Sequence, residues 1–186
     1  MANTFRVVLD ACVMLPQNLN NLLLTLADDD LFTPVWSAEL LDEVERNLVQ
    51  KFNATAAQAS HRVTNMRRAF PHAEDYCAGY LGIIDTMTNH PKDRHVLAAA
   101  VISRAAMIVT ANLKDFPPRA LSPYGIEAVH PDDFLLDQLA LDHNRVLAAM
   151  ITVVQRNHWP PKTLGELREA LRSFTPTFAV AVEELT

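Results

Sequence analysis

Apolar residues in the first two thirds of the chain form two kinds of pattern. Residues 5–9, 31–35 and 107–110 are short, nearly continuous apolar runs, which are typical of strands that are buried on both faces. Residues 12–27 carry leucines three and four positions apart, which is the spacing of one helix face. Because strands and helices alternate, the sequence predicts βαβ units and an α/β fold with a central parallel sheet.

Local signals add further elements to this pattern. Ser37 precedes an amphipathic stretch and is predicted to be a helix N-cap. Residues 54–70 and the stretch that begins at Pro91 are also predicted helices. Two short strands are expected in addition, one that includes residues 83–84 and a last one at residues 126–129.

The final third of the chain contains only helical patterns. Asp132 and Thr163 are predicted helix caps, and the paired prolines at 160–161 predict a firm break. We therefore divide the chain into a domain of residues 1–130 and a helical C-terminal extension of residues 131–186. The predicted helices of the extension span residues 131–142, 144–157, 163–173 and 176–185.

Composition narrows the class of protein without naming it. The chain has 186 residues, 49% of them hydrophobic, and a formal net charge of −6, so it can form a core but is not overtly a nucleic-acid binder. Its two cysteines do not form a CxxC pair, and neither a signal peptide nor an apolar stretch of about 18 residues is evident. These features predict a cytoplasmic protein with no membrane segment.

Acidic and amide side chains follow several of the predicted strands. Asp10 comes directly after the first apolar run, and Asn112 and Asp115 follow the run at residues 107–110. Glu43 and Asp93 lie near the starts of two predicted helices. In an open α/β sheet, ligands bind at the carboxyl ends of the strands. Carboxylates that converge there repel one another unless a cation is present, and oxygen ligands suit Mg²⁺ or Mn²⁺.

Each acid also has a purely structural interpretation. Asp10 could cap the helix that follows it, and Asp93 could be a first-turn acid that interacts with a helix dipole. Spacing alone does not choose between Glu39 and Glu43, because residues four apart lie on the same helix face. The metal site is therefore a prediction that depends on the four segments acting together.

The four segments, taken in order, resemble the motifs of the PIN domain family. Asp10 follows an apolar strand, and Glu43 is the last residue of a Ser-x-x-x-Leu-x-Glu motif in a predicted helix. Asp93 begins Asp-Arg-His-Val-Leu-Ala-Ala-Ala, and Thr110 begins Thr-x-Asn-x-x-Asp-Phe. Within that family the chain is most similar to VapC-type toxins of bacterial toxin–antitoxin pairs, specifically the longer ones with a helical C-terminal extension. The resemblance covers about residues 5–130, and its pattern favours Glu43 over its neighbours.

This resemblance implies a three-layer α/β/α fold and a Mg²⁺- or Mn²⁺-dependent endoribonuclease. Its substrate class would be tRNA or a structured rRNA loop, and a small antitoxin protein would block the site; a homodimer is also compatible with the sequence. The implied metal ligands are Asp10 and Asp93, with Glu43 either as a ligand or orienting the attacking water, and the Thr110 hydroxyl aligning the site. The implied remaining metal contacts are Asn112 and Asp115.

Asn112 is a departure, since many PIN domains have an aspartate at this position, and an amide keeps an oxygen ligand but loses a charge. Which of Asn112 and Asp115 lies nearer the ion is left open. Asn112 weakens the acid set and so keeps one alternative open, a module that binds RNA or a partner without cutting it. A DNA nuclease on the same fold is a second alternative. A response-regulator-like phosphoacceptor is a weaker third, because Asp10 has no acidic neighbour.

Arginines supply the candidate RNA contacts. Arg62, Arg67 and Arg68 form the densest basic group in the chain, on the predicted helix at residues 54–70. A solvated helix face is the simpler interpretation, and phosphate contact is the functional one. Arg94, next to Asp93, is either structural or a further RNA contact.

Overall fold

The computed structural model describes residues 5–156 and 162–185. Over these residues, the sheet has four parallel strands in the spatial order β2-β1-β3-β4. Val7, Val8 and Leu9 are fully buried although successive side chains of a strand point to opposite faces, so helices cover both faces of the sheet. The predicted three-layer α/β/α arrangement with a parallel sheet is confirmed. The strands are β1 (Arg6–Leu9), β2 (Thr33–Val35), β3 (Met107–Val109) and β4 (Glu127–Val129).

Helices connect the strands and continue after the last one. The helices of the first 130 residues are α1 (Ala11–Met14), α2 (Gln17–Asp28), α3 (Ala38–Phe52), α4 (Ala56–Ala69), α5 (Arg94–Ser103) and α6 (Pro118–Leu121). Those that follow are α7 (Pro131–Leu141), α8 (His143–Arg156), α9 (Leu164–Arg172) and α10 (Pro176–Leu185).

The helix that carries Glu43 begins and ends as its sequence predicts. The Ser37 hydroxyl accepts a hydrogen bond from the Leu40 N–H at 3.2 Å, which satisfies one of the free donors of the first turn of α3. Asn53 ends the helix in the left-handed conformation that short polar side chains tolerate. Leu40, Leu41 and Val44 are buried, so α3 is anchored while its other face is free to carry acids.

Two predicted elements are wrong in detail. The single helix expected at residues 12–27 is two helices, because Pro16 has no N–H to continue the hydrogen-bond ladder and instead directly precedes α2. The strand expected around residues 83–84 is part of a 3₁₀ helix at Tyr80–Thr86 that packs against α5. An isolated pair of isoleucines fits either structure, so the pattern did not distinguish them.

The C-terminal helices share one hydrophobic core with the sheet. Phe134 of α7 packs edge to face on Phe32, which precedes β2, with ring centroids 5.2 Å apart. Thr163 caps α9 as predicted, through a reciprocal pair of bonds with Glu166. The break predicted at residues 160–161 lies outside the described residues. Among the described residues, no helix is long and apolar enough to cross a membrane.

Asp132 does not cap its own helix as predicted. His130 occupies the N-cap position of α7, and its Nδ1 accepts a hydrogen bond from the Asp132 N–H at 3.3 Å. The Asp132 carboxylate instead accepts hydrogen bonds from the backbone N–H groups of Thr177 at 3.1 Å and Phe178 at 2.8 Å. It therefore caps the first turn of α10, a partner too distant in the sequence for a local motif to reveal.

Candidate active site

Asp10 lies at the carboxyl end of β1, in the middle of the sheet. Its backbone N–H donates to the carbonyl of Val109 at 3.1 Å, which joins the ends of β1 and β3. Asp10 occupies the N-cap position of α1 and is only 4% exposed, yet within the described part of the chain its side chain makes no capping hydrogen bond. The interpretation of Asp10 as a simple helix cap is therefore not supported.

The Asp10 carboxylate is held by two neighbouring side chains. The Thr110 hydroxyl donates to Asp10 Oδ2 at 2.7 Å, and the Cys12 thiol donates to the same oxygen at 3.1 Å. Burial, reinforced by the negative charge of Asp10, raises the pKa of the Cys12 thiol to about 12, so it stays protonated and remains a donor. The Thr110 oxygen in turn accepts from the Asn112 N–H at 3.0 Å. This network fixes one carboxylate oxygen in position.

A second cluster forms where two loops meet. One ring nitrogen of His90 and one carboxylate oxygen each from Asp93 and Asp115 lie within 4.8 Å of one another. His90 Nδ1 is 3.1 Å from Asp93 Oδ2, and the His90 backbone N–H donates to the carbonyl of Asp115 at 3.1 Å. Asp93 ends a 3₁₀ turn that leads into α5. The cluster therefore brings together residues from the start of α5 and from the segment after β3.

Glu43 projects from α3 toward the same region. Its Oε1 accepts from the Asn47 side chain at 3.4 Å, and its Oε2 is 3.9 Å from Nε2 of the buried His95. That His95 nitrogen has no hydrogen-bond partner among the described residues. A buried polar atom without a partner is costly, so a further polar group is expected near it.

The charges of Asp10, Glu43, Asp93 and Asp115 influence one another. Burial raises the pKa of Glu43 above its ordinary value, and the nearby charge of Asp10 raises it further, while His95 opposes the shift. Burial also raises the pKa of Asp93, with added repulsion from Asp10 and Asp115. Four acids thus repel one another at one edge of the sheet, which is the arrangement that a bound cation would relieve.

The remaining candidates occupy different positions. Asn112 is exposed, and it is Asp115 that joins the cluster with Asp93. Arg62 donates to the backbone carbonyls of Met14 and Leu15 at the end of α1, and burial lowers its pKa to about 10. It lines a groove of about 910 Å³ between α2 and α4 rather than the acidic clusters.

The other arginines make local contacts. Arg67 donates to Glu74 at 2.6 Å, and Arg68 donates to Asn65 at 3.2 Å on the exposed face of α4. The Arg94 Nε is buried without a hydrogen-bond partner among the described residues. None of these contacts tests whether the arginines bind RNA, so that role stays a prediction.

The sequence did not identify two residues, His90 and Cys12, as part of the site. His90 stands three positions before Asp93, a spacing that brings side chains together only when the intervening turn is helical. Cys12 stands two positions after Asp10, and its thiol also contacts Thr110, which is 98 residues away along the chain. A polar residue close to each catalytic candidate was the only available signal, and it was weak.

The parallel sheet with acids at its carboxyl edge is the arrangement of a PIN domain, and the PIN domain model matches residues 6–114. The chain belongs to the PIN domain family. A model described as the VapC50 C-terminal domain matches residues 131–184. The chain is also 50% identical over 110 residues to a protein of Mycobacterium tuberculosis named "Putative ribonuclease VapC50". That alignment covers 59% of this chain and 65% of the relative, so the chain spans somewhat less than two thirds of its length. No solved structure matches significantly.

Proposed function

We propose that this protein is a metal-dependent endoribonuclease and the toxin of a type II toxin–antitoxin pair. The observation that carries the proposal is the convergence of Asp10, Glu43, Asp93 and Asp115 at one edge of the sheet, where burial and mutual repulsion raise the pKa values of Glu43 and Asp93. Such an arrangement is typical of a site that holds a divalent cation, and the relative named as a ribonuclease supports RNA as the substrate.

The residues present fit Mg²⁺ or Mn²⁺. Asp10, Asp93 and Asp115 would hold the ion through carboxylate oxygens, the donors that both ions accept. The buried Nε2 of His95 has no hydrogen-bond partner among the described residues and lies 3.9 Å from Glu43, which supports a further polar group in this pocket. When bound, the ion supplies positive charge beside the phosphate and a water of lowered pKa.

Side chains of the protein would position the metal ligands and the attacking water. Thr110 and Cys12 hold one oxygen of Asp10 by hydrogen bonds at 2.7 and 3.1 Å, which keeps the carboxylate in one orientation. Glu43, half-buried beside Asp10 and Asp93, would either ligate the ion or orient the water that attacks the phosphodiester. His95 lies behind Glu43 and is placed to orient it.

The family and the C-terminal match support a proposal for the division of the chain and for its partners. We propose that residues 1–130 carry catalysis and that residues 131–186 form the helical extension. The VapC50-type C-terminal match and the VapC50 relative support an antitoxin as the protein partner. A tRNA or rRNA substrate, a homodimer and a cytoplasmic location are part of the same proposal.

Cleavage assays with matched aspartate variants test the proposal. The purified chain should cut RNA with Mn²⁺ or Mg²⁺ and stop in EDTA, and Asp93→Asn should abolish cutting. Asp75→Asn is the matched control, because Asp75 also pairs with a histidine three residues earlier but lies outside the site. Cleavage in EDTA, or an active Asp93→Asn protein, would reject the proposal. Parallel DNA substrates separate a ribonuclease from a DNA nuclease, and metal-independent RNA binding without cutting would indicate a binding module.

A further inference from the structure

His90 lies beside Asp93 and Asp115, although its side chain offers nitrogen atoms and not oxygen atoms. A nitrogen of its ring lies within 4.8 Å of carboxylate oxygens of both Asp93 and Asp115. We propose that His90 gives an imidazole nitrogen to the divalent ion of this site, so that the site favours a transition-metal ion such as Mn²⁺ over Mg²⁺. This inference rests on the proposed function, because it concerns the same metal centre.

The spacing of the three groups suits a shared ion. Protein ligands lie about 2.0–2.2 Å from such ions, so two ligands of one ion are separated by about 3 Å when adjacent and somewhat over 4 Å when opposite. The 3.1 Å between His90 Nδ1 and Asp93 Oδ2 is a hydrogen-bond distance, and it also matches the separation of two adjacent ligands. The three ligand atoms lie within 4.8 Å of one another, so a small inward movement of the side chains would let all three reach one ion.

The backbone around His90 holds the imidazole close to the two acids. The His90 N–H donates to the carbonyl of Asp115, which ties the two loops together. The Asp93 N–H donates to the carbonyl of His90, and the buried Asn89 side chain donates to the carbonyl of Asp93 at 2.9 Å. The turn is therefore fixed from both sides, and an arranged site costs less to order when a ligand binds.

The pair of His72 and Asp75 provides a comparison for the pair of His90 and Asp93. His72 Nδ1 is 3.2 Å from Asp75 Oδ2, with the same three-residue spacing as His90 and Asp93. Both side chains of that pair are 74% exposed, whereas Asp93 is only 20% exposed. At His90 a third group, Asp115, joins from a different loop, and this additional acid distinguishes a candidate metal site from a surface pair.

A nitrogen ligand changes the ion that such a site prefers. Carboxylates suit Mg²⁺ and Mn²⁺ alike, whereas imidazole suits transition-metal ions. The affinity ratio of Mn²⁺ to Mg²⁺ should therefore depend on His90. The carboxylates would supply most of the charge in either case.

Pulsed electron paramagnetic resonance of the Mn²⁺-loaded full chain tests the proposal directly. Wild type and His72→Ala should both show echo modulation from a coordinated ¹⁴N nucleus, and His90→Asn should lose it. In competition titrations, His90→Asn should lower the Mn²⁺ to Mg²⁺ affinity ratio by roughly tenfold or more. Because the His90 side chain is 45% exposed, the variant should fold, which thermal unfolding in EDTA checks.

The outcomes separate this inference from the proposed function. If wild type bound Mn²⁺ without ¹⁴N modulation, and Asp93→Asn lost the ion, the role of His90 would be overturned. The proposed metal centre would then still stand. Modulation that persists in His90→Asn would also overturn it, and would indicate His95 instead. A wild-type chain that binds no Mn²⁺ would reject the metal centre itself.

Discussion

Asp10 and Asp132 are two buried aspartates with opposite surroundings. Both carboxylate oxygens of Asp132 accept backbone N–H groups from the first turn of α10, so its charge is satisfied within the fold. Among the described residues, Asp10 accepts two side-chain hydrogen bonds, both at one oxygen, Oδ2. Its charge adds to the burial that raises the pKa values of Glu43 and Asp93. Burial alone therefore does not mark a functional acid. The distinction lies in whether the fold supplies donors to a carboxylate or places other acids beside it.

Replacing Asp10 should produce the largest change in activity. Asp10→Asn keeps the shape of the side chain but removes its charge, and we expect RNA cleavage to fall by at least ~100-fold, since even groups that only orient a metal ligand contribute roughly 10–100-fold. Asp132→Asn is the matched control and should cleave at the wild-type rate. Equal cleavage by Asp10→Asn and wild type would erase the distinction between the two aspartates.

Replacing Asp132 should instead reduce stability. Asp132→Ala removes the cap of α10 and leaves two backbone donors without their partner, which should cost about 2 kcal/mol. For a chain of this size the melting temperature should fall by roughly 4–8 °C, which calorimetry would measure. Cleavage below the transition should be unchanged. An unaltered melting temperature would contradict the role assigned to Asp132.

Removing the Thr110 hydroxyl should have an intermediate effect on activity. Thr110→Val has nearly the same shape but cannot donate to Asp10 Oδ2, so we expect a roughly tenfold loss of cleavage and of Mn²⁺ affinity. Thr110→Ser restores the hydroxyl and should recover most of both. If Val and Ser variants behaved alike, the hydrogen bond would not be what positions the carboxylate.

The smallest expected effect is a pH-dependent gain in stability without metal. Because the folded protein raises the pKa of Asp93 above its ordinary 3.8, ionising this acid costs stability as the pH rises from that value through the folded pKa. In EDTA, Asp93→Asn should therefore be more stable than wild type at neutral pH, and the gain should vanish below pH 3.8. Urea unfolding at several pH values measures this gain, with Asp75→Asn as the control. A variant less stable at neutral pH would contradict the raised pKa that burial and the neighbouring acids give Asp93.

The sheet and its acids were predictable because they depend on local patterns. An apolar run identifies β1 regardless of its neighbours, and the parallel topology then brings Asp10 and Thr110 to the same edge. Ser37 similarly acts on its own first turn. Residues whose signals are local, or whose placement follows from strand order, could therefore be assigned from the sequence.

Long-range partners were not predictable in the same way. His90 meets Asp115 because its backbone N–H pairs with the Asp115 carbonyl, in a loop that follows another strand. Asp132 reaches Thr177 and Phe178 across 45 residues or more, a contact that helix packing creates. Neither contact has a fixed spacing, so no sequence motif encodes it.

Anomalous diffraction from a crystal of the full chain soaked in Mn²⁺ tests the central claim most directly. We predict an anomalous peak within bonding distance of carboxylate oxygens of Asp10 and Asp93, with Asp115 beside it and Asp132 far from it. Carboxylates of Asp10 and Asp93 that point to separate places, with no peak between them, would contradict the account.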